Sequence, residues 1–229
     1  MNGFTDNTLP KHRETYQKIK MALLNKEWEN GEKLSTSQLA KRFGVSKTPV
    51  QDALKQLEFD GFVKIVPQVG CIVRTFTIED FEELYLLRKS LEGLASSIAA
   101  TKATEADLTK LEDLLFQMEQ LAAEKNYSQY SIKNREFHRT IVAASHMPRL
   151  MSQVQWLWDQ TDFISLHRFL IHQNIENSIE SHKIIFQAIK NNMPQIAKSA
   201  MEEHLHECLL LVLNNTDSQN GEQSPPTST

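Results

Sequence analysis

A mainly α protein is predicted, with a small N-terminal head of three helices and a hairpin followed by an all-helical bundle of about six helices. Three observations carry this reading. Seven Gly and seven Pro in 229 residues are too few for a turn-rich all-β chain. Apolar residues recur every three or four positions through nearly all the long segments. The one β-rich stretch is short, with FVKIV and CIVRT separated by the turn PQVG. The expected boundaries are a disordered start over 1–10, a head over 11–75, a bundle over 77–214 and a disordered tail over 215–229.

The first helix is expected from Lys11 to Trp28, with Tyr16, Ile19, Leu23 and Leu24 on its apolar face, and the turn at Asn30 and Gly31 closes it. Ser35 opens the run STSQ, a capping box in which the hydroxyl and the Gln38 side chain each satisfy a free backbone N–H. A short second helix follows and ends at Gly44. Ser46 is placed to cap the third, and Pro49 is tolerable in a first turn, where its missing N–H costs nothing. Three helices with a tight Gly turn before the third, then a hairpin, describe a winged helix-turn-helix.

Beyond the hairpin, Thr77 with Asp80 and Thr104 with Asp107 have the spacing of helix N-caps. Breaks fall near Thr101, Asn126, Met147–Pro148, Asn174 to Asn177, and Asn192 to Pro194, which makes six helices. The segment Trp156 to Leu170 is apolar nearly all round and reads as a central buried helix that can also line a cavity.

The net charge of -4 conceals an asymmetry. Up to Thr75 there are twelve Lys and Arg against eight Asp and Glu; the remainder carries 13 against 21. A basic head on an acidic body fits a polyanion-binding module attached to one with another task. Cys71 and Cys208 are far apart with no C-x-x-C spacing, so both read as reduced thiols. The opening residues have no apolar signal core, and the longest apolar run, Cys208 to Leu213, is far short of a membrane span. A cytoplasmic protein with no membrane partner is expected.

Several inward stripes of the bundle are interrupted by polar groups. Asn134 and His138 lie one turn apart beside Phe137; His182 falls between Ile179 and Phe186; His204 falls between Met201 and Cys208. One histidine on an apolar face is ordinarily a core imidazole bonded to a carbonyl. Three on separate helices can instead converge as neutral ligands for Zn, Ni or a similar divalent ion. Arg88 also sits where an apolar residue belongs. It is either the i, i+4 partner of Glu92 or a guanidinium fork turned on a carboxylate or phosphate. His12, His146, His167, His172 and His206 show no such placement. No H-E-x-x-H, P-loop, G-x-S-x-G or dinucleotide fingerprint is present, so no catalytic residue is assigned.

The run GEKLSTSQLAKRFGVSKTPVQDALKQLEFDGFV from Gly31, with PQVGCIV from Pro67, resembles the DNA-binding head of GntR-type transcriptional regulators. The runs RKSLE from Arg88, NREFHRTI from Asn134, SHKIIFQAI from Ser181 and AMEEHL from Ala200 resemble the effector (FCD) domain of the FadR branch, and six helices are most like its VanR-type subgroup. The resemblance implies a homodimer on a double-stranded DNA operator, with a bundle that binds a small organic acid at a divalent metal. It places the metal ligands at His138, His182 and His204, with Asn134 where the family has Asp, and puts Arg88 on the effector carboxylate. Ser37, Lys47 and Gln51 stand where the family commonly has DNA-contacting arginines, and Val69 replaces the wing-tip arginine. Gln51 can then read adenine, Thr48 a thymine methyl, Lys47 and Lys64 phosphates, and Gly70 keeps the wing tight. Two other readings follow from the same residues. One is a metal-dependent enzyme acting on organic acids with a vestigial head; the other is an architectural DNA binder whose bundle only dimerises.

Overall fold

In the computed structural model, residues 10–164 and 174–221 are described, with side chains to residue 215. The expected disorder of residues 1–9 and 222–229, and the last part of the Trp156 to Leu170 run, lie outside the described residues. The chain forms two compact units, Met1–Thr77 and Ile78–Thr229.

The first unit contains α1 (Lys11–Leu24), β1 (Lys33–Leu34), α2 (Thr36–Phe43), α3 (Lys47–Phe59), β2 (Val63–Val66) and β3 (Gly70–Val73). Its core is apolar and closed, built on Ile19, Leu23, Leu39, Val50, Leu57, Phe62 and Val73. α1 stops four residues short of Trp28, because Lys26 turns into the left-handed region at φ 59°. Ser35 does accept from the Gln38 N–H, at 3.4 Å, but only this half of the expected capping box forms; Gln38 is exposed, where water competes for the return bond. Ser46 occupies the N-cap of α3 without a side-chain bond. A two-residue strand, β1, was not expected. It pairs antiparallel with β3, Leu34 opposite Cys71, giving the order β1-β3-β2, and it is too short for alternation to show in sequence. The wing turn holds Gln68 at φ 63° and Gly70 at φ 109°. Gly70 pairs with Val66, and its φ is one that other residues rarely adopt, so glycine is required there; an added Cβ would lie 3.1 Å from Lys33 Cε, the mobile end of a side chain that can give way.

The second unit contains α4 (Ile78–Lys102), α5 (Glu105–Ala123), α6 (Tyr127–Ala144), α7 (Pro148–Ile164), α8 (Ile175–Lys190) and α9 (Pro194–Gly221). Thr104 and Asp107 complete a reciprocal capping box at the start of α5. α4 is the central helix: it packs along α9 and also meets α6, α7 and α8. This corrects only the central position expected for Trp156 to Leu170, since α7 meets only α4 and α6 among its stronger neighbours; Trp156 is 39% exposed, but Leu157 to Ile164 are buried or half-buried and Trp158 lines the cavity. α4 can sit centrally because its inner face is small around Gly93, Ala95, Ser96, Ala99 and Ala100. At Gly93 an added Cβ would come within 2.7 Å of Glu202 Cγ on α9. Phe81, Phe137, Ile141, Phe186 and Met201 fill the main core. α9 continues as helix to Gly221, past the expected end at residue 214; no Gly or Pro intervenes after Pro194 to stop it, and Asn215 Nδ2 donates to the Leu211 carbonyl at 2.7 Å. Among the described residues no helix is long and apolar enough to cross a membrane.

Candidate metal centre and ligand cavity

α6, α8 and α9 each contribute one imidazole to a single point inside the bundle. His138, His182 and His204 are all buried, and one ligand atom from each lies within 4.8 Å of the others. Ring centroids are 5.2 Å apart for His138–His182, 5.2 Å for His138–His204 and 4.5 Å for His182–His204. His138 Nε2 and His182 Nε2 face each other at 3.2 Å. The three stripes bring these residues together because each imidazole replaces an apolar residue at the same depth, with Phe137 packed against the His182 ring at 4.9 Å.

Burial, with His138 adding to the effect, holds His204 down to about 3, and burial with His204 and His138 puts His182 well below the usual imidazole range. Neutral imidazoles are the form that coordinates a metal, so the cluster can hold a divalent ion. Asn134 Oδ1, one turn before His138, and His182 Nδ1 are among the buried side-chain atoms with no hydrogen-bond partner among the described residues. An unsatisfied carbonyl oxygen in the wall of the cavity that His138 and His204 also line fits a cation as its missing partner.

A cavity of about 760 Å³ opens onto the cluster, and Arg88, Asn134, His138, Trp158 and His204 are among its walls. Arg88 is buried, with Nε 2.8 Å from Glu92 Oε1 and its guanidinium 4.8 Å from the Tyr85 ring centre. Arg88 is thus the i, i+4 partner of Glu92, as the first reading has it, and its side chain also lines the cavity. Sequence reasoning missed what Glu92 does on its other side, where Oε2 accepts from His138 Nδ1 at 2.8 Å, while Trp158 Nε1 donates to Oε1 at 2.9 Å. The signal was present as a carboxylate on the inner stripe of α4. It also missed Arg135, which reaches from α6 to Asp159 and Asp162 on α7 at the cavity wall.

In the first unit Lys47, Thr48 and Gln51 are exposed on the first turns of α3, Ser37 is exposed on α2 and Lys64 on β2, while Gly70 is half-buried in the wing. Nothing covers the α3 face they share among the described residues of that unit.

Residues 83–207 match the FCD domain, and residues 11–73 match the family described as bacterial regulatory proteins, gntR family. The chain belongs to the GntR family and carries an FCD domain. It is a transcriptional regulator with a GntR DNA-binding head and an FCD effector domain, and the alternative of an organic-acid enzyme with a vestigial head is set aside by its relatives. This GntR regulator is 29% identical to the uncharacterized HTH-type transcriptional regulator YdhC of Bacillus subtilis (strain 168), over 89% of this chain and 92% of that one. It is 29% identical to the HTH-type transcriptional regulator LutR of the same organism, over 79% of this chain and 91% of that one. Its fold is shared by McbR/YncC of E. coli, with a TM-score of 0.74 at 22% identity, covering 91% of this chain and all of that one.

The depressed histidines make the metal-free regulator acid-sensitive. His182 and His204 stay neutral when folded but take up protons when unfolded below the ordinary value of about 6.5. Their contribution to stability is complete above that pH and is lost as pH falls toward the folded-state values. For His204 the window runs down to about 3. Each histidine contributes a slope of up to roughly 1.4 kcal/mol per pH unit inside its window. Denaturant unfolding at pH 7, 6, 5 and 4 is expected to show a steepening loss, and His204→Asn to flatten it; an unchanged slope in the variant would mean other groups dominate.

Proposed function

We propose that this regulator is a homodimer that holds a double-stranded DNA operator through its two heads and answers to a small carboxylate bound in the FCD cavity beside a divalent metal. The observation that carries the reading is the meeting of three buried imidazoles at one point, two of them, His138 and His204, in the wall of a cavity that the buried guanidinium of Arg88 also lines. His138, His182 and His204 hold the ion, Zn or Ni by ligand type, and Asn134 adds its neutral carbonyl oxygen. A bound ion supplies positive charge beside Arg88. Arg88 and Glu92 cancel one another, so the residues alone bring no net negative charge to the ion. An acid's carboxylate would provide it, and this supports joint binding of metal and acid.

The dimer is supported by α4, whose outer side carries Leu87 and Leu94 about 43% exposed, with Leu91 and Ile98 half-buried between and beyond them. That spacing makes one apolar stripe, the form a twofold helix contact takes. The head reads DNA with Gln51 and Thr48 on base edges, Ser37, Lys47 and Lys64 on the backbone, and Gly70 shaping the wing. The place of action is the cytoplasm.

Competition binding with randomised duplexes tests the head. Gln51→Ala is expected to relax base choice at one position per half-site, at ~1 to 3 kcal/mol per lost paired contact. Lys47→Ala is expected to weaken binding to every sequence and to reduce its salt dependence. Equal losses on all sequences for Gln51→Ala would remove that residue from base reading. Operator binding unaltered by metal and by every acid tried would leave the bundle as a dimerising body only.

A further inference from the structure

We infer that Glu92 is a positioning residue for the metal centre: it fixes the tautomer of His138 so that Nε2 carries a lone pair toward the ion. This rests on the metal reading above and deepens it. Glu92 is fully buried on α4, a helix that supplies no ligand, and both of its oxygens are occupied. Oε1 accepts from Arg88 Nε at 2.8 Å and Trp158 Nε1 at 2.9 Å; Oε2 meets His138 Nδ1 at 2.8 Å.

Arginine and the indole N–H can only donate, and both donate to Oε1; the permanently charged, buried guanidinium pairs with Glu92 as an ion, which makes Oε2 an acceptor as well. A carboxylate with no proton of its own leaves one role for His138 Nδ1, which must donate. The ring has a single proton when neutral, so Nε2 is bare, and Nε2 is the atom that faces His182 Nε2 at 3.2 Å. Hydrogen bonding of this kind orients a ligand ring and raises its basicity, and its loss costs about 10- to 100-fold in metal affinity.

The test is calorimetric titration of Zn²⁺ alone into the metal-free full chain, comparing wild type, Glu92→Gln and Ser96→Ala, with ¹⁵N NMR of the histidine rings. In Glu92→Gln the amide oxygen stays with Arg88 and Trp158, and the amide N–H₂ meets His138. The ring must then accept at Nδ1 and carry its proton on Nε2, where the ion needs a lone pair. The expected results are a fall in Zn affinity of about 10- to 100-fold, with the His138 proton on Nδ1 in wild type and on Nε2 in the variant. Ser96 donates to the Glu92 main-chain oxygen at 2.9 Å, so Ser96→Ala disturbs the same turn of α4 without touching the carboxylate. It is expected to lower the melting temperature and leave Zn affinity unchanged.

Equal Zn affinity in wild type and Glu92→Gln overturns the role of Glu92 alone. So does an Nε2 proton on His138 in the zinc-free wild type, a readout that holds even if Glu92→Gln does not fold. Absence of saturable Zn binding in the wild type overturns the metal reading and this inference with it.

Discussion

Arg88→Met is expected to lower folding stability by ~3 to 5 kcal/mol, the usual cost of stripping one partner from a buried ion pair. Methionine keeps the length and apolar stem, so the loss is one of charge and hydrogen bonding. Glu92 would be left buried with His138 and Trp158 as its donors and no cation. Adding Glu92→Gln to Arg88→Met removes the stranded charge and is expected to restore part of the loss. A double-mutant cycle in denaturant therefore measures the coupling directly. A carboxylate that raises the melting temperature of the wild type is expected to do nothing for Arg88→Met. If stability held while the carboxylate response vanished, the ion pair with Glu92 would be incidental and Arg88 would be a ligand clamp alone.

Asn134→Asp is expected to tighten Zn binding at least tenfold, and His182→Ala to abolish saturable binding. An ionised oxygen in place of a neutral one neutralises half the charge of a divalent ion inside a medium that screens poorly. Without metal, the new carboxylate would stand buried in the cavity wall with no cation shown to pair with it, so the same variant is expected to be less stable than the wild type until Zn is added. Titrations of both variants with Zn, Ni and Mn, paired with melting curves, separate the contributions. Undiminished binding in His182→Ala would move the ion elsewhere. Protons are expected to compete with the ion at His182 and His204 only well below the ordinary histidine range near ~6.5, since burial keeps both rings neutral in the folded chain.

Much of this arrangement was legible in the chain because it is written in periods. The apolar spacing of α6, α8 and α9 put His138, His182 and His204 on inward faces, and three inward faces of one bundle meet. Turn chemistry at Gly44, Thr104 and Pro194 placed helix ends well. What escaped was set by pairing across the fold rather than along it. β1 is two residues long, with no pattern of its own, and exists because β3 offers it a ladder edge. Ser35 and Ser46 had the right residue type for full caps, but an exposed cap competes with water and sequence does not report exposure. Glu92 was visible as the neighbour of Arg88 four residues away; its bond to His138 joins positions 46 residues apart. The bond from Trp158 spans 66 residues and follows only from the crossing of α4 and α7.

The bare backbone at Gly93 bears on how such a regulator can change over generations. Glu202 crosses that spot two residues before His204, and its side chain occupies the room that a methyl at position 93 would need. A methyl there would come within 2.7 Å of Glu202 Cγ and oblige that partly exposed side chain, which pairs with Lys198, to turn aside. A chain that keeps Glu202 where it lies is thus held to glycine at 93 by a contact that touches neither the cavity wall nor an imidazole.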